Sequence, residues 1–71
     1  MNTEWILKAV ETIKSGIADK LTKDNITIYR VKNIIRIDIK EWYRMIDDVD
    51  SVPTANVVEV IRKEDEGKWK N

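Results

Sequence analysis

Asp47, Asp48 and Asp50 form the densest group of potential metal ligands in this sequence, and Glu64, Asp65 and Glu66 form a second acidic run. Carboxylates at such spacing are the donors a hard cation such as Ca²⁺ would use. The pattern departs from a calcium loop at its decisive position, because Pro53 stands where the sharp-turn glycine would be needed after Asp48 and Asp50. The first run therefore reads as a solvated loop able to cap the element that follows, and the second as a turn. Together the two runs also resemble, more distantly, a DNA phosphate track. Other reactive chemistry is limited by residue type. The chain has no histidine and no cysteine, so it lacks a Ser-His-Asp or Cys-His triad, a thiol nucleophile and an imidazole acid or base. Zinc sites built on Cys and His are excluded on the same ground. Gly16 and Gly67 are the only glycines, too few for a phosphate-cradling loop. The expectation is a protein that is not an enzyme and carries no cofactor.

What remains is contact chemistry. Tyr29, Val31, Ile34 and Arg36, with Thr27, fall on one side of an expected hairpin, and four of these five carry large apolar or aromatic area. An exposed antiparallel face is normally more polar than this. Either the C-terminal segment packs over it as a second layer, or it meets a partner, with Tyr29 and Arg36 as residue types that dominate binding energy. The same face could stack single-stranded bases, although only Arg30, Lys32, Arg36 and Lys40 would supply charge. Three tryptophans stand out in so short a chain. Trp42 and Trp69 join the partner-contact candidates, and at least one tryptophan is expected in the core. Trp5, Ala9, Ile13 and Gly16 lie along one flank of the first expected helix, where small residues would admit a second backbone. A hairpin resting there, or a helix–helix seam between two copies, fits that flank.

These residues need elements to position them. Ile6, Val10, Ile13, Ile17 and Leu21 recur at steps of three and four, which predicts an amphipathic helix over Thr3 to Thr22. Asn2 or Thr3 suits its cap and Glu4 its first turn. Ile26–Val31 and Ile34–Ile39 are two alternating strands separated only by Lys32-Asn33. A two-residue turn sets their register, pairing Val31 with Ile34 and Ile26 with Ile39 and gathering Ile26, Ile28, Ile35, Ile37 and Ile39 on one face. Within it Asn33 tolerates a left-handed backbone, whereas Lys32 does so poorly. Residues 41–49 read as a short helix through Ile39, Trp42, Ile46 and Val49, although Trp42, Tyr43 and Ile46 also suit a strand continuing the hairpin. The β-branched run Val57–Arg62 favours a strand over a helix starting near Thr54. Glu64–Gly67 then fits a turn returning Lys68–Lys70 as a stub strand.

Length and charge bound the whole. At 71 residues there is room for one domain, residues 1–71. A chain this short buries only about 60% of its unfolded surface, and small domains close that gap with disulfides, a metal or an oligomer. With no cysteine to form a disulfide, self-association, as a dimer, is the expected aid. Thirteen basic and thirteen acidic residues cancel, against general binding to a phosphate backbone. They are unevenly placed: residues 1–40 hold eight Lys/Arg and five Asp/Glu, residues 41–71 five and eight, so the halves carry +3 and −3. No apolar run approaches the ~20 residues of a membrane span, and the first residues do not resemble a signal peptide, so a cytoplasmic address is expected. Eleven Ile, nine Lys and five Asn against two Leu suggest an AT-rich genome, that of a low-GC bacterium or its phage.

The resulting expectation is an α+β fold, an N-terminal helix packed on a small antiparallel sheet in the order α-β-β-(α)-β. Its function is read as binding another protein, as a homo-oligomeric regulator, inhibitor or assembly factor. Nucleic-acid binding through the basic hairpin face, acidic DNA mimicry and small-ligand binding between protomers are the alternatives.

Overall fold

The computed structural model describes residues 3–69, with side chains inside the last helix described as far as residue 63. Six elements follow one another: helix α1 (Thr3–Lys14), strands β1 (Lys20–Lys23), β2 (Ile26–Val31), β3 (Ile34–Ile39) and β4 (Trp42–Ile46), and helix α2 (Thr54–Trp69). The strands form one antiparallel meander in the order β1-β2-β3-β4. The class is α+β, with α1 on the sheet.

The central hairpin has the register that its two-residue turn implies, from Val31↔Ile34 to Ile26↔Ile39. Within that turn the left-handed residue is Lys32, at φ +57°, not Asn33. The other two hairpin turns repeat the device: Asp24 at φ +55° opens the β1–β2 turn and Lys40 at φ +50° the β3–β4 turn. A left-handed lysine is uncommon, because its Cβ crowds the following carbonyl. Pairing on both sides of each turn holds the conformation.

The helix expected to run to Thr22 stops at Lys14. Gly16, expected inside it, is its terminator, with φ +81°. The Gly16 amide donates to the Ile13 carbonyl (3.1 Å) and the Ile17 amide to the Thr12 carbonyl (3.2 Å). That pair of reversed bonds is a Schellman cap, which satisfies carbonyls the helix leaves open. Ile17 and Leu21 therefore leave the helical stripe, and Leu21 enters β1 opposite Ile28.

The short helix expected over residues 41–49 is instead β4, the alternative that continues the hairpin. The expected strand at Val57–Arg62 is instead part of α2, which also runs through Glu64–Gly67 and on to Trp69, so that of the expected stub strand Lys68–Lys70 two residues are helical and Lys70 lies outside the described residues. Tertiary need outweighs β propensity here. Four strands at about 4.8 Å spacing are wider than one helix of about 10 Å diameter can roof, so a second helix is required. Thr54, Val57 and Ile61 lie at helical spacing and are buried, with Val58 half-buried beside them.

The core is one cluster. Ile6, Ala9, Val10 and Ile13 of α1 meet Ile26, Ile28, Ile35, Ile37 and Ile39 of the sheet, Val49 of the last loop, and Val57 and Ile61 of α2. Two polar clasps tie the loop between β4 and α2 to this body. Arg30 grips Asp50 with two nitrogens, at 3.1 and 2.7 Å. Lys14, in the last turn of α1, donates to the Val52 carbonyl (2.7 Å) and to the Thr54 hydroxyl (3.4 Å). The buried Val49 is held by its amide, which donates to the Asn33 carbonyl at 2.9 Å.

Candidate interaction surface

Alternation along each strand sends every second side chain away from the helices. On that side the registers align Lys20, Tyr29, Arg36 and Met45 in one row across all four strands. Thr22, Thr27, Asp38 and Tyr43 form the next row, and Val31 with Ile34 a third, shorter one. Both helices pack on the opposite, isoleucine-rich side. The expected cover from the C-terminal segment is therefore not there: α2 through Lys63 joins α1, and among the described residues nothing overlies the second face. Val31, Tyr43 and Met45 are each more than half exposed, at 56%, 55% and 54%.

Arg36 is the fixed centre of this face. Its Nε donates to Asp38 Oδ1 at 2.8 Å, two residues along the same strand. Its guanidinium carbon lies 4.2 Å from the centroid of the Tyr43 ring, a cation–π stack. The Asp38 hydrogen bond is the main cause that raises the Arg36 pKa above its ordinary value. Tyr29 and Met45, the cross-strand neighbours of Arg36 on β2 and β4, flank it. On the neighbouring row the Thr22 and Thr27 hydroxyls lie 3.3 Å apart across β1 and β2.

Of the residues singled out from sequence, Tyr29, Val31, Ile34 and Arg36 are brought together on this face. Trp42 is not with them. It pairs with Ile39 on the helix side, half-buried against the core. Trp69 is the last residue of α2, and its side chain lies outside those described. On the flank of Trp5, Ala9, Ile13 and Gly16, Ala9 and Ile13 are only 2% and 1% exposed, buried in the chain's own core, and Trp5 packs against that core. Gly16 sits beyond the helix altogether. Tyr43 and Met45 are the members that sequence reasoning missed. Reading residues 42–46 as a strand would have found them, since alternation then places both beside Arg36.

The acidic loop has a structural role at one position. Asp50 is the partner of Arg30, while Asp47 and Asp48 are exposed. Among the described residues no three carboxylates converge as a metal site, and no helix is long and apolar enough to cross a membrane.

No protein-family model, curated protein or solved structure matches this chain.

Proposed function

We propose that this chain is a non-enzymatic protein-binding module, a small cytoplasmic regulator, inhibitor or assembly factor that works as a homo-oligomer and meets its partner with the open face of its sheet. The observation that carries this reading is the uncovered row of Tyr29, Arg36 and Met45 with Tyr43, Val31 and Ile34 beside it. Aromatic, methionine and arginine side chains are the types enriched at protein interfaces. The Arg36–Asp38–Tyr43 arrangement adds pre-organisation, which lowers the entropic cost of ordering side chains on binding. Charge weighs against a nucleic-acid partner: the chain is formally neutral, and Arg36 already faces a carboxylate of its own.

Affinity capture from the host with the immobilised chain tests this. A polypeptide should remain bound through high-salt washes, because apolar contact is insensitive to screening. The double variant Val31→Lys, Tyr43→Glu should lose it while keeping the wild-type circular dichroism. Retention unchanged in that variant would overturn the assignment of the face. Retention of nuclease-sensitive material that falls steeply with salt would replace the reading by nucleic-acid binding.

A further inference from the structure

Two arginines of the sheet are held by aspartates, in opposite ways. Arg30 spends its whole guanidinium inside the chain: Nη1 and Nη2 bind Asp50, and Nε donates to the Lys32 carbonyl. Arg36 spends one nitrogen. Its Nε donates to Asp38 Oδ1, and among the described residues nothing accepts from Nη1 or Nη2. Neither of those two nitrogens is buried, and 38% of the side chain is exposed. The guanidinium is thus stacked on Tyr43 and tied at Nε, with its two-pronged end open on the surface.

The surroundings of that end follow from the registers. Tyr29 and Met45 stand opposite Arg36 on β2 and β4, and Ile34 and Asp38 lie two residues away along β3. Three of these four neighbours are apolar or aromatic, and Val31 adds to them beside Ile34. The charged members of the open face are Lys20 and Arg36 against Asp38, so the face carries one net positive charge although the chain as a whole is neutral.

We infer that the open face takes an acidic segment of a partner protein, one Asp or Glu carboxylate of which pairs with Nη1 and Nη2 of Arg36 while its apolar neighbours lie on Val31, Ile34 and Met45. Two parallel N–H bonds from a planar guanidinium match the two oxygens of a carboxylate. Charge complementarity selects the class. With Asp38 already at Nε, the site has room for a single negative charge. A phosphate dianion would bring a second one beside Asp38, answered only by Lys20 two strands and about 10 Å away. A nucleic-acid strand needs a track of cations and free ring faces for its bases. Here the face has two cations, and Arg36 itself covers one side of the Tyr43 ring. This inference rests on the open face being the binding face and adds the chemistry of what it binds.

The test selects short peptides from a surface-displayed random library on the purified, immobilised chain. The selected peptides should share an Asp or Glu among apolar residues. Changing that residue to Gln in a synthetic copy, or Arg36→Gln in the protein, should each weaken binding by about tenfold or more. The two changes together should cost no more than either alone, because they remove the same contact. Arg36→Lys keeps the charge without the fork and should not restore binding. Circular dichroism checks that the variants fold, and the change on the peptide side makes no demand on folding. Additive losses, or peptides without a carboxylate that bind wild type and Arg36→Gln alike, overturn the carboxylate anchor. If those peptides are lost in the Val31→Lys, Tyr43→Glu double variant, the open face still stands. If they survive that variant too, the face falls with the anchor. A phosphoserine copy that binds more tightly than the acidic peptide overturns the single-charge site, and an empty selection overturns the acidic segment.

Discussion

At the scale of single residues, Arg30 and Asp50 show how a charged pair can do structural work at a surface. Asp50 is exposed, yet both its oxygens are gripped by one guanidinium that also donates from Nε to the Lys32 carbonyl at 2.6 Å. The hydrogen bond from Arg30 is the main cause holding the Asp50 pKa below its ordinary value, with the Arg30 and Lys14 charges adding to it. A carboxyl whose folded pKa is depressed contributes stability above its unfolded value, and that contribution disappears as pH falls through the folded one. Asp50→Asn should therefore melt below the wild type at neutral pH, and the gap should close below about pH 4, the unfolded carboxylate range. Thermal melts across pH check this, and a gap independent of pH would show that Asp50 acts through something other than its charge. The effect should be small, because solvent screens exposed pairs.

At the scale of elements, the end of α1 turns on one glycine. A β-carbon at Gly16 would meet no neighbouring atom within 4 Å, so its role is conformational and not steric. Gly16→Ala keeps the space but must hold φ near +81°, and should cost about 1–2 kcal/mol, the penalty of a left-handed L-residue. Urea melts read this, and a cost near zero would mean the cap can reform by another route. This terminator was legible in principle. A glycine just past Lys14 is a standard stop signal, yet Ile17 and Leu21 continue the three-four spacing by coincidence and mask it. β4 and α2 were harder. Trp42, Ile46 and Val49 fit both periods over so short a span, and in α2 the run Val57-Val58-Glu59-Val60-Ile61 has the composition of a strand. The buried stripe Thr54, Val57 and Ile61 becomes a helical signal only when the sheet's unroofed width is known.

At the scale of the whole molecule, one cluster of aliphatic side chains carries the fold. Ile37 lies at its centre, fully buried on β3 between the outer strands and the helices. Ile37→Ala should cost about 2–5 kcal/mol, a large share of the ~5–15 kcal/mol that stabilises a typical domain. Denaturant melts should show a strongly lowered midpoint or an unfolded chain, and an effect below about 1 kcal/mol would contradict a close-packed core. Some of the molecule was determined by sequence alone. The central hairpin, its register and its isoleucine face follow from a period of two and a two-residue turn, because both constraints are local and agree. The grouping of Tyr29, Val31, Ile34 and Arg36 follows from the same alternation. Only the tertiary structure decided which side the C-terminal segment would cover, and therefore that Tyr43 and Met45 complete an open face. That choice depends on how many strands the sheet has and how much of its width one helix can roof, quantities belonging to no local stretch of the chain.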